Sequence, residues 1–187
     1  MISLFPRREP VQDIVSPWSY LSFASDTPPE KFGDLAPIVE LWRSKWPAPD
    51  RFPAWRNFDI LEFRGWWGQL SLAEMHRDPL DLRWALWGTK LTHWWGADYT
   101  GQRISEQPHL MDVWQHFERP YFECQLEHRL IGFVTGSLEP QDRQFLNIRG
   151  IDLPLETDGV LTHYLSVYEL RHADDNFVPD APVLFRF

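Results

Sequence analysis

Residues Leu82 to Glu106 read LRWALWGTKLTHWWGADYTGQRISE. Leu82, Trp84 and Leu86 alternate with Arg83 and Ala85, the period of a strand whose two faces differ. Gly88-Thr89 interrupts that strand, and the Thr89 hydroxyl can accept from a free amide in a following helical turn. Leu91, Trp94 and Trp95 recur at i, i+3, i+4, which predicts a short helix with one buried face. Gly96, free to turn left-handed, ends it. A second turn at Thr100-Gly101 and a polar run lead to Pro108. A strand feeding an aromatic helix and then broken turns predicts a sheet with a helical roof and a hollow beneath it.

On the N-terminal side, Asp34 can cap a helix whose first turn accepts Pro37. Its apolar stripe is Leu35, Ile38, Val39, Trp42 and Trp46, and Pro47 and Pro49 end it. A short helical segment over Phe58 to Phe63 follows. Gly68 then releases the chain into a strand over Gln69 to His76, and Asp78-Pro79 turns it into the strand Leu82 to Trp87. On the C-terminal side, Leu110, Val113, Trp114 and Phe117 predict helix from 109 to about 129, broken near Pro120. Strands are expected over Leu130 to Leu138, Arg143 to Leu153 and Val160 to Arg171. Glu139-Pro140-Gln141-Asp142 forms the first turn between them, and Asp158-Gly159 is a hairpin signal. Two antiparallel strands ahead of any long helix give an α+β chain, not a doubly wound one. Residues 1–33 read as an extension with at most one short helix, over Val15 to Phe23. Residues 34–171 form the domain. Residues 172–187 are a tail whose apolar end should dock.

The chain has 187 residues, a net charge of −9, 16% aromatics and 11 Trp. One domain with extensions fits that length. The acidic balance and the lack of a basic patch argue against nucleic acid. One cysteine, Cys124, permits no internal disulfide and fits a reducing cytoplasm. The first residues lack the apolar core of a signal peptide, and no run of about 20 apolar residues suggests a membrane span. This many Trp either fill a core or line a pocket for a flat or apolar ligand.

The segment WALWGTKLTHWWGADYTGQRISE resembles the strand and first helices of PAS domains. It is most similar to a bacterial, mainly alphaproteobacterial, stand-alone branch with an aromatic strand, G-T, an apolar helix and G-x-D-x-T-G-R. Here that pattern is Trp87-Gly88-Thr89 and Gly96-Ala97-Asp98-Tyr99-Thr100-Gly101, with Gln102 placed before Arg103. Leu35 to Phe63 resembles the family's leading helix, and Ile151 to Gly159 its penultimate strand and turn. The resemblance implies a five-stranded antiparallel sheet with helices over one face and an N-terminal amphipathic helix. It also implies signal transduction in the bacterial cytoplasm through protein interaction, without catalysis. No kinase, cyclase or DNA-binding segment is read here, so the expected output is another protein, such as a sensor histidine kinase or a diguanylate-type partner.

Strand parity and the helical roof nominate Trp84, Leu86, Leu91, Trp94, Phe133, Phe145, Asn147 and Leu165 as pocket-lining residues. The stripe Leu35, Ile38, Val39, Trp42 and Trp46 is expected to stay exposed in one chain and to form a homodimer about a two-fold axis. The other outcome is that Trp18, Tyr20 and Phe23 fold back to cover it. His76, Asp78 and Asp81 are read as turn residues. Cys124 with Glu123 and His128 could form a nucleophile and base, though a buried small apolar residue is the plainer reading. His109, His116 and His128 are too scattered to hold haem, and His163 and His172 lack metal-ligand spacing. The flavin-binding Asn-Cys-Arg-Phe motif of light-oxygen-voltage domains is absent, as are phosphate loops and nucleophile elbows. Neither cofactor nor metal is expected. The rivals are a small isomerase- or hydratase-like enzyme, which needs a carboxylate or His with a shifted pKa in the cavity, and a structural dimerisation module with a filled core.

Overall fold

Alternation of side chains in WSYLSF, the first described segment, makes it a strand, and it opens a sheet that runs through the whole molecule. The computed structural model describes residues 18–138, 143–172, 175 and 177–187, with the backbone alone for 143–145. In chain order the elements are β1 (Trp18–Phe23), α1 (Ala36–Ser44), β2 (Leu70–Arg77), β3 (Leu80–Trp87) and α2 (Thr89–Trp95). They continue with α3 (Met111–Val113), α4 (Arg119–His128), β4 (Ile131–Leu138), β5 (Arg143–Thr157), β6 (Val160–Arg171) and β7 (Phe185–Arg186). The sheet order is β3-β2-β6-β5-β4-β1-β7, antiparallel at every pairing. The chain is α+β, and no helix among the described residues is long and apolar enough to cross a membrane.

The sheet has seven strands and not the expected five. β1 replaces the short helix expected over Val15 to Phe23, of which 15–17 lie outside the described residues. It pairs with the edge of β4, Leu21 opposite Phe133, and so covers amides and carbonyls that would otherwise face water as an open edge. β7, from the tail, then pairs with β1. The expected turn at 139–142 lies outside the described residues. Asp158 and Gly159 both take positive φ in the β5–β6 hairpin, as a tight two-residue turn requires.

Helical segments cover both faces of the sheet, which corrects the expectation of one covered face. On one face Leu35, Ile38, Val39 and Trp42 are wholly buried in a cluster with Leu21 and Phe23 of β1, Phe133 of β4 and Leu165 of β6. The Trp42 indole donates to the Pro154 carbonyl at 2.9 Å. The stripe expected to seek a second copy is therefore the chain's own core, and Trp46 packs at its rim. The exposed-patch argument for a dimer through this helix fails. Asp34 does not cap α1; Leu35 occupies that position without a side-chain bond, while Asp34 pairs with Arg149 and Arg171.

The other face carries the roof. Gly88, not Thr89 as expected, occupies the cap position of α2 and brings no side chain to it; the Lys90 and Leu91 amides donate instead to the Gly68 carbonyl at 2.8 and 3.1 Å. That contact explains the glycine at 88, because a Cβ there would sit 2.3 Å from the Gly68 oxygen. Gly96 closes α2 in the left-handed region, as expected. Pro120 does not break the next helix. A π turn over Trp114–Glu118 runs into α4, and Pro120 falls in the first turn of α4, where a missing amide leaves little unserved.

Candidate functional site

A cavity of about 100 Å³ lies between the sheet and this roof. β1 contributes Trp18 and Tyr20, and β3 contributes Trp84 and Trp87. α2 adds Trp95, and the turns after it add Tyr99 and His109. From the π turn and α4 come Glu118, Tyr121 and Phe122; Asp152 of β5 and Tyr168 of β6 form the floor. Trp84 and Trp87 sit three residues apart, so a regular strand would point them to opposite faces. A bulge shifts the register between Leu72 and Ala73 of β2, and both rings reach the cavity.

Several aromatic walls meet edge to face, while Trp18 and Trp95 stack at 27°. Trp87 meets Trp95 at 83° with centroids 5.4 Å apart, and meets Tyr99 at 87° and 5.1 Å. Trp95 reaches Tyr168 at 66° and 5.3 Å. The Tyr99 hydroxyl and His109 Nε2 lie 3.0 Å apart at the exposed side of the cavity. Edge-to-face pairs of this kind are favoured by the ring quadrupoles.

Two carboxyls enter this apolar space. Tyr20 donates to Glu118 Oε1 at 3.1 Å. Desolvation pushes the Glu118 carboxyl up to about 7, the charge of Asp152 adds to that, and the Tyr20 bond opposes it. Asp152 is 2% exposed and accepts from Tyr121 at 2.6 Å and from Ser166 at 2.5 Å. Its pKa is raised by burial, against the pull of those two bonds. Register explains the placement: Ser22, Gly132, Asp152, Ser166 and Ser71 face one another strand by strand across the sheet. Gly132 matters within that row, since a Cβ there would lie 1.8 Å from the Tyr121 hydroxyl.

Among the residues nominated from sequence, Trp84 lines the cavity. Leu91 and Trp94 are buried beside it in a cluster with Trp87, Tyr99, Leu138 and Ile148. Leu86, Phe133 and Leu165 pack on the opposite face with α1. Asn147 pairs with Ser137 and Arg171 at the far end of β5, away from the cavity, and the Phe145 side chain lies outside the described residues. Period two separates faces but does not say which is which when both are apolar. The bulge in β3 then reverses the parity that would have linked Leu86 to Trp84. The missed signal was the small or acidic residue between apolar neighbours in Leu21-Ser22-Phe23, Leu70-Ser71-Leu72, Ile151-Asp152-Leu153 and Leu165-Ser166-Val167.

The other clusters read from sequence do not assemble. Asp81 accepts from Ser105 and pairs with Arg103 at 3.5 Å, tying β3 to the loop beyond α2. Burial pushes the Cys124 thiol up to about 11, Glu123 pairs with Arg119, and His128 stacks on Phe185. A thiol held neutral is no activated nucleophile. His116 bonds the Asp112 carbonyl. No group of His, Cys, Asp and Glu among the described residues could hold a metal. No family model, curated protein or solved structure matches this chain.

Proposed function

We propose that this protein is a PAS-like sensory or regulatory module of the bacterial cytoplasm. It binds a small ligand in the aromatic cavity and signals by contact with another protein, such as a sensor histidine kinase, without catalysis of its own. The observation that carries the reading is the walled space beneath the roof, about 100 Å³ with two carboxyls inside it. Pockets for drug-sized ligands run to several hundred Å³, so the occupant is small. The run β2 to β6, with its helical segments between the second and third of those strands, also agrees with the family resemblance. Native mass spectrometry with an absorption spectrum of freshly purified protein tests the reading. A bound mass released on denaturation supports it. A bare chain whose melting temperature no small molecule raises would leave a filled structural module instead.

One observation favours a second reading. A small enzyme would need a carboxyl of shifted pKa in the cavity, and Glu118, at about 7, is such a group. Recovery of a chemically altered ligand after incubation with sub-stoichiometric protein would decide for the enzyme.

A further inference from the structure

We propose, resting on the reading of this cavity as a ligand site, that it binds a small organic cation of the methylated-ammonium class, held against Trp and Tyr rings and matched by Glu118 and Asp152. Ring faces of Trp and Tyr carry negative potential and attract ammonium groups, most strongly where water is excluded. The cavity wall offers such rings from β1, β3, α2 and β6 at once.

Charge points the same way. Around Glu118 the titratable groups of the cavity wall are Tyr20 from β1, Tyr121 from α4, Asp152 from β5 and Tyr168 from β6, with Tyr99 and His109 on the exposed side. No Lys or Arg is among the described residues lining the space, and Arg119, next in the chain, pairs outward with Glu123 at 2.9 Å. Buried carboxylates are ordinarily matched by a cation or by several donors. Asp152 has two hydroxyl donors, whereas Glu118 has the one from Tyr20. A cationic ligand supplies the counter-charge.

The Trp87 indole N–H lacks a hydrogen-bond partner but is closed off from solvent-sized space, so it offers the ligand no contact. A cavity of about 100 Å³ calls for a compact ammonium, for which choline is a simple probe.

Calorimetric and Trp-fluorescence titrations of the full chain at pH 8 use choline and its uncharged isostere 3,3-dimethylbutan-1-ol. The expected result is choline binding at least about tenfold tighter than the isostere. Glu118→Gln should remove that preference while leaving the weak binding of the isostere in place. Choline should also bind more tightly at pH 8 than at pH 6, because a cation favours the ionised form of Glu118. Equal affinity for the two probes would overturn the cation and leave the cavity as a site for neutral ligands. Failure of both to bind at millimolar concentration would overturn the inference, while a bound mass in the native spectrum would still keep the ligand-site reading.

Discussion

Glu118 shows how one side chain couples the cavity to stability. Its carboxyl titrates at about 7 in the folded protein, against 4.5 for an ordinary glutamate. Between those values the unfolded chain has lost the proton and the folded chain keeps it, so the unfolded state binds fewer protons. Stability contributed by this group is therefore complete below about pH 4.5, falls as pH rises to about 7, and stays low above that. The span is worth on the order of 3 kcal/mol, at roughly 1.4 kcal/mol per pKa unit. Glu118→Gln keeps an acceptor for Tyr20 and removes the titration. We expect the variant to match the parent in denaturant melts at pH 4.5 and to exceed it by about 2–3 kcal/mol at pH 8. A parallel pH dependence in the two proteins would place the Glu118 carboxyl in solvent. Gly132 is the complementary case, a side chain that must be missing. Its Cβ would meet the Tyr121 hydroxyl at 1.8 Å and Gln125 Nε2 at 2.4 Å, both fully buried. Gly132→Ala should destabilise by at least about 1–3 kcal/mol through overpacking, whereas an alanine at Gly65, where nothing lies within 4 Å, should be near neutral. Equal melting temperatures for the two variants would disprove the close approach.

At the scale of elements, the roof rests on α2. Leu91 and Trp94 are buried against Trp87 of β3, Leu138 of β4 and Ile148 of β5, so one face of two helical turns holds three strands' worth of wall. Trp94→Ala should lower stability by roughly 3–5 kcal/mol, the loss typical of a large core aromatic. Lys90→Ala, on the exposed face of the same helix, should change it by less than about 0.5 kcal/mol. A loss below about 1 kcal/mol for Trp94 would put its ring outside the core. α1 plays the corresponding part on the opposite face. Its stripe is sealed to the sheet by Trp42, and a dimer using the same residues would have to open the core.

At the scale of the whole molecule, β1 and the C-terminal strand β7 complete one side of the sheet. β1 lies between β4 and β7, the Leu184 and Phe187 amides donate to Ser22 and Tyr20 carbonyls, and Phe177 packs on Phe133. Arg149, 2% exposed, pairs with Asp34 and Glu169 and lies over the Phe177 ring, which fixes the chain where it leaves β6. A chain beginning at Asp34 would lose Leu21, Phe23 and Phe32, each almost fully buried. At about 1.5–3 kcal/mol per side chain, that loss rivals the total of about 5–15 kcal/mol that holds a domain together. Circular dichroism of the truncated chain should show a melting temperature lowered by more than about 10 °C or no cooperative transition at all. A melt close to that of the full chain would make residues 18–33 a detachable appendage.

Much of this architecture is legible in local pattern. Alternation located β2 to β6 to within a few residues, Asp158-Gly159 marked its hairpin, and the i, i+3, i+4 spacing of Leu91, Trp94 and Trp95 marked α2, because these depend on neighbours in the chain. The stripe on α1 was equally legible, but not what it packs against; apolarity demands a partner without saying whether the partner is the same chain. Which strand face meets the cavity was decided in three dimensions. Helices cover both faces, so neither reads as polar, and the bulge opposite Leu72 and Ala73 turns Trp84 and Trp87 to one side while Leu86 goes to the other. Glu118 and Asp152 are ordinary acidic residues in the sequence. Strand register and a π turn bring them into one desolvated space with Tyr20, Tyr121 and Ser166, and burial there, a property of the folded surroundings alone, sets their protonation.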